Sequence, residues 1–167
     1  MTSLDVIVED ARWALALGDA AAFAGKCRDA ATALEPKLAA GAALLLADDA
    51  TLQTLNRDFR GQDKPTNVLS FPAGASTGEG TGSFLGDIAM AYDICAREAG
   101  DEADRFRDHA AHLIIHGLLH LAGYDHETDD EAERMERLET RILAGLGVAD
   151  PYAELAGADA VGAMGAR

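Results

Sequence analysis

The sequence predicts a single domain of the α+β class, and three observations predict it. Four short runs carry strand-like composition, five segments carry helical periodicity, and 167 residues at 49% hydrophobic and 26% charged suit one hydrophobic core. Aromatics make up only 5% of the chain while alanine is abundant, so close helix packing through small side chains is expected. We expect residues 1–152 to form the domain and 153–167 an Ala/Gly-rich tail, mobile from about residue 155.

Taken in order, residues 4–8 alternate weakly enough to be a first strand. A helical region follows, best formed over residues 19–34, and it stops before Pro36 because proline disfavours helix at the residue preceding it. The apolar run 42–46 suits a buried strand. Asp48 and Asp49 then offer caps for a helix whose Leu52, Leu55 and Phe59 share one face. After a turn at residues 61–65, a third strand is expected over 66–71, ended by Pro72. The Gly, Ser and Thr of residues 73–83 form a flexible, hairpin-like connection into a fourth strand over 84–91, where Gly86 signals a bulge or a close approach. Asp93 is placed to cap a helix ending near Gly100. The next helix, 102–121, buries Phe106, Ala110, Leu113, Ile114 and Leu118. Thr128 to Glu131 reads as a capping box, and Ala132, Met135, Leu138, Ile142 and Leu146 recur at helical spacing up to Gly147.

Charge and cysteine usage narrow the function classes. Fourteen basic against 29 acidic residues leave a net charge of −15, which opposes broad nucleic-acid binding but permits a local basic groove, since charge is screened over about 10 Å at ordinary salt. Cys27 and Cys95 lie far apart and form no C-x-x-C pair, as expected of reduced thiols. Asp5, Glu9 and Asp10 stand where a signal peptide needs basic residues, and no apolar run approaches the ~20 residues of a membrane span. A cytoplasmic protein with no membrane partner is expected.

Three of the five histidines fall within eleven residues, His116-Gly-Leu-Leu-His120-Leu-Ala-Gly123-Tyr-Asp-His126. Two histidines four apart on a helix project about 40° from each other, one turn along the axis, so both imidazoles can meet one ion. A positive φ at Gly123 would end the helix and return His126 as a third ligand. The spacing is that of the metzincin proteases, H-E-x-x-H-x-x-G-x-x-H, except that Gly117 replaces the catalytic glutamate. His112, four residues before His116, is read as packed or supporting, and His109 as solvent-facing. Asp125 is read as shaping its turn, Met135 as core.

A second stretch, Asn56 to Pro72, concentrates Arg57, Arg60 and Lys64 in an otherwise acidic chain. A guanidinium at a helix end beside a strand edge suits a bidentate phosphate clamp, and Thr66, Asn67 and Ser70 add neutral donors. The bland alternative for Arg60 is a cation complementing the helix dipole.

These two stretches, with Leu85-Gly86-Asp87-Ile88, closely resemble the YbeY family of bacterial endoribonucleases and rRNA maturation factors. The resemblance extends over residues 4–152 and includes Met135, Glu139, Ile142-Leu143, Leu146-Gly147 and Pro151-Tyr152. It implies a small mixed four-stranded sheet with surrounding helices, one Zn2+ per chain on His116, His120 and His126, and cleavage of single-stranded RNA. It further implies a role in maturing small-subunit rRNA ends and in ribosome quality control, with the small ribosomal subunit or its assembly factors as partners. Arg60 stands at the position considered essential in the family. Arg60 and His116 are therefore the catalytic candidates, and Asp87, Arg57, Lys64 and Ser70 the candidates for supporting a ligand or touching substrate. Two other readings stay open: a non-catalytic ribosome-assembly factor with a structural metal, and a zinc peptidase or other amide hydrolase. Gly117 opposes the latter, which needs a carboxylate to move the proton of its water.

Overall fold

A computed structural model describes residues 4–73 and 84–152. The expected hairpin-like connection, from residue 74 on, and the tail from residue 153 lie outside them. Four strands, β1 (Leu4–Val8), β2 (Gly41–Ala47), β3 (Val68–Pro72) and β4 (Phe84–Ala91), form one sheet in the order β1-β2-β4-β3. The β1–β2 and β2–β4 pairs are parallel and β4–β3 is antiparallel, so the sheet is mixed, as expected. Around it stand α1 (Arg12–Leu17), α2 (Ala20–Leu34), α3 (Asp49–Arg60), α4 (Tyr92–Glu98), α5 (Ala103–Leu121) and α6 (Asp129–Gly145).

Local chemistry accounts for most boundaries. The side chains of Asp19, Asp48 and Thr128 accept the N-cap hydrogen bonds of α2, α3 and α6, and Thr128 with Glu131 forms the complete capping box. Three details differ from the sequence reading. Pro36 ends α2 but also opens a 3-10 turn over Pro36–Ala39. The third strand begins at Val68, two residues late, although the Asn67 carbonyl still accepts from the Ala91 amide at 3.0 Å. Asp93 does not cap α4: it lies inside the first turn and binds Arg12 Nη1 at 2.7 Å, a tertiary partner that no local pattern could announce.

Gly86 is where the bulge was expected. The β2–β4 register shifts beside it, its φ is 142°, and a Cβ there would stand 2.3 Å from the Phe71 carbonyl oxygen. The bulge lets Leu85 and Ile88 face one side of the sheet while Asp87 and Ala89 face the other. The larger core lies on the first side, where Leu44, Leu46, Ile88 and Met90 meet α2, α5 and α6, with Trp13 donating its indole N–H to the Ala47 carbonyl at 2.8 Å. A smaller core of Ala47, Leu52, Leu69, Ala89 and Ala91 lies under α3. Small residues permit close approach, most sharply at Gly117 of α5, where an added Cβ would be 3.0 Å from Ile88 Cγ2. Among the described residues no helix is long and apolar enough to cross a membrane.

Candidate metal centre and its cleft

Helix α5 carries His116 and His120 to its C-terminal end, Gly123 follows with φ 106°, and the chain returns with His126. One ring nitrogen from each histidine can be chosen such that all three lie within 4.8 Å of one another. The tautomers follow from the hydrogen bonds. His116 Nδ1 donates to Glu139 Oε2 at 2.5 Å and His120 Nδ1 donates to the Tyr124 carbonyl at 2.9 Å. Each Nε2 is then a lone pair, and the two face each other at 3.1 Å. Two acceptors that close repel unless a cation stands between them, and two nitrogens on a tetrahedral zinc are separated by about 3.3 Å. The donor set therefore fits a divalent ion, and three imidazoles without thiolates suit zinc with a fourth position open.

Protonation is arranged to match. Burial, then the neighbouring His116 and His126, push the pKa of His120 down to about 4, so the imidazole is neutral and able to ligate at pH 7. Burial alone would raise that of Glu139, yet the hydrogen bonds of His112 and His116 outweigh it and hold the carboxyl at about 2. Glu139 is 0% exposed, and as an anion it accepts from His116 on one oxygen and from the Tyr152 hydroxyl on the other.

The histidines open onto a cleft of about 590 Å³ whose other wall is formed by Arg60, residues 66–70 and Pro72. Arg60 comes from the last turn of α3 and reaches around the edge strand β3, where Nη2 donates to the Ser70 carbonyl and the guanidinium carbon lies 5.4 Å from the centre of the Phe71 ring. Ser70 Oγ donates in turn to the Gly117 carbonyl at 3.4 Å, so one residue joins the arginine wall to the metal helix. Among the described residues Asp125 and Glu127 supply the carboxylates of the cleft, and Asp125 already accepts the His126 amide at 2.8 Å.

The structure thus brings together His116, His120, His126, Arg60 and Ser70, and it separates the remaining candidates from them. Asp87 lies on the opposite face of the sheet, in an apolar groove with Phe59, Leu55 and Ile7, because the Gly86 bulge sets the alternation that way. It orients no histidine of the cluster; Glu139 occupies that place at His116. Arg57 is exposed and paired with Asp58 at 3.1 Å, and neither it nor Lys64 lines the cleft. His109 is not solvent-facing but half-buried, held by Glu98 at 2.7 Å. His112 is buried against Tyr152. Glu139 and Tyr152 went unassigned in the sequence reading. Glu139 had a signal, as an acidic residue on the stripe of Met135, Ile142 and Leu143, where a solvated face would not fall.

Fold and site define an α+β domain with a candidate three-histidine metal centre beside an arginine-walled cleft. The chain belongs to the YbeY family: the family model described as Endoribonuclease YbeY matches residues 16–147. A protein named Endoribonuclease YbeY from Rhodopseudomonas palustris strain HaA2 is 58% identical over 119 residues, covering 67% of this chain and 61% of that one. Another of the same name from Nitrobacter winogradskyi is 59% identical over 115 residues, covering 66% and 60%, so the match spans about three fifths of the length of these two relatives. One from Paramagnetospirillum magneticum is 48% identical over 150 residues, 85% of this chain and 90% of that protein. The solution structure of TM1509 from Thermotoga maritima has a TM-score of 0.52 at 23% identity, covering 86% of this chain and 91% of that one, a likeness of fold.

Proposed function

We propose that this protein is a zinc-dependent endoribonuclease that cleaves single-stranded RNA, acting in the maturation of small-subunit rRNA ends and in ribosome quality control, in the cytoplasm. The observation that carries the reading is the facing of His116, His120 and His126 across one cleft from Arg60. The name shared by its relatives supports the RNA substrate, and the family resemblance is what points to ribosomal RNA and the assembling small subunit as partners.

Zinc held there would polarise a phosphoryl oxygen and lower the pKa of bound water toward ~7. The chain's own residues do the rest. Arg60 holds the scissile phosphate and balances the charge that grows on its oxygens, with its plane fixed by the Ser70 carbonyl and the Phe71 ring. Thr66, Asn67 and Ser70 line the approach to it. Among the described residues Glu127 and Asp125 are the cleft groups able to take up the proton released by the attacking water, and Glu127 is the one not already occupied by the His126 amide. Pockets of roughly 300–1,000 Å³ hold small ligands, so a cleft of about 590 Å³ is of a size for one or two nucleotides.

Gly117 opposes the peptidase reading on steric grounds as well, since a glutamate side chain there would run into Ile88 of β4. The test is to measure bound metal and assay single-stranded RNA and peptide substrates with the native protein, a chelated sample, Arg60→Ala and His120→Ala. Metal-dependent RNA cleavage that is lost in both variants is expected. Cleavage persisting in Arg60→Ala and after complete metal removal would overturn the reading, and metal-independent RNA binding without turnover would favour an assembly factor.

A further inference from the structure

Behind the metal centre, four side chains from three parts of the chain form one hydrogen-bonded series. His112 Nε2 stands 3.2 Å from the Tyr152 hydroxyl oxygen, the hydroxyl donates to Glu139 Oε1 at 2.5 Å, and Glu139 Oε2 accepts His116 Nδ1–H at 2.5 Å. Tyr152 lies beyond α6 and is brought back by a deliberate turn: Asp150 Oδ1 accepts both the Tyr152 amide at 2.8 Å and the Thr140 hydroxyl at 3.1 Å, so the segment is tied to α6 before its ring meets His112 edge-on at 5.5 Å. Val148 is held by the Leu143 carbonyl at 2.9 Å and packs on the main core.

We infer that Glu139 and Tyr152 are positioning residues for the metal centre, and that docking of the segment from residue 148 to 152 is thermodynamically coupled to metal binding. The inference rests on the metal-binding part of the proposed function and is independent of RNA cleavage. A carboxylate on Nδ1 keeps the proton there and Nε2 free, and it raises the basicity of the ligand nitrogen. A fully buried carboxylate needs two satisfied oxygens to hold one orientation. Tyr152 supplies the shorter contact to Oε1, at 2.5 Å against 3.5 Å for His112 Nε2, so its loss leaves the carboxylate less firmly oriented toward His116. The coupling runs both ways, because whatever raises metal affinity by docking must itself be docked more firmly by the metal.

Zinc affinity measured by chelator competition at pH 7 tests this on the full chain. Glu139→Gln should bind zinc about 10- to 100-fold more weakly. Tyr152→Phe, which removes one hydroxyl and leaves the ring against His112, should bind it several-fold more weakly, and the visible spectrum of the Co2+-loaded protein should change in both. Amide hydrogen exchange over residues 148–152 should slow on zinc binding in the native chain and much less in Tyr152→Phe. Affinities and Co2+ spectra equal to the native ones in both variants would overturn the inference, even with a lower melting temperature. A native protein that binds no zinc would overturn the metal centre itself.

Discussion

Gly117 and Ile88 stand so close that a Cβ on the glycine would be 3.0 Å from Ile88 Cγ2 and 3.1 Å from its Cδ1. This contact, between the helix that carries two candidate ligands and an inner strand of the sheet, sets how closely that helix lies on its support. Overpacking a filled core costs about 1–3 kcal/mol, against a gain of about 1 kcal/mol for replacing glycine within a helix. Gly117→Ala should therefore be net destabilising by about 1 kcal/mol. Gly117→Glu should be worse, by about 3 kcal/mol or more, since it also drives a carboxylate into apolar surroundings. Urea denaturation measures both, and Ile88→Val combined with Gly117→Ala should recover part of the loss by removing Cδ1.

Arg60 is held by its shape as much as by its charge. Arg60→Lys retains the cation but loses the planar fork that meets the Ser70 carbonyl while lying along Phe71. We expect Arg60→Lys to recover little of the activity lost in Arg60→Ala, with kcat/KM on single-stranded RNA down by about 10²–10³ in both. Full activity in the lysine variant would show that a point charge suffices.

The metal-free protein should lose stability in acid in two stages. Unfolded His120 takes up a proton near 6.5 whereas the folded one waits until about 4, so the unfolded state binds more protons between these values and stability falls as pH drops through that window. Glu139 is ionised in the fold down to about 2 but protonates near 4.5 when unfolded, so its contribution is complete above 4.5 and is lost as pH falls toward 2. Thermal melts from pH 7 to 3 in the presence of a chelator measure the profile. His120→Ala should flatten the upper stage and leave the lower one.

Under the proposed RNA cleavage, salt dependence of RNA binding should be shallow. With a net charge of −15 and Arg60 as the permanent cation on the cleft wall among the described residues, few phosphates can be neutralised. One or two contacts on a single strand give a slope of about −0.7 to −1.4 for log affinity against log salt. Fluorescence anisotropy with a short labelled RNA and a chelated, non-cleaving protein measures it. A slope steeper than about −4 would overturn this expectation.

What was legible in the sequence was whatever is written in short-range spacing. The strands at residues 4–8 and 84–91, the Thr128 capping box, the bulge at Gly86 and the turn at Gly123 all follow from patterns within a few residues of one another. The grouping of His116, His120 and His126 was equally local, and it is the grouping found. Where the reading failed, the deciding partner was distant. Asp93 answers to Arg12, Asp87 was turned away by a one-residue shift of register, and Glu139 is committed to a histidine 23 residues earlier. Gly117 was read as an absent base. Its full meaning needed Ile88, which only the packed sheet brings to it.

The three candidate ligands lie within eleven consecutive residues, whereas Arg60 reaches the same cleft only by way of the sheet edge at Ser70. Closing a loop that short costs little entropy, so a chain with an unpaired β3 keeps most of what it needs to capture an ion. Bound metal would therefore report on the C-terminal half of this molecule and say little about the N-terminal half. A loaded preparation would not by that fact have an assembled cleft, and the bond from Arg60 to Ser70 is the better mark of a finished fold.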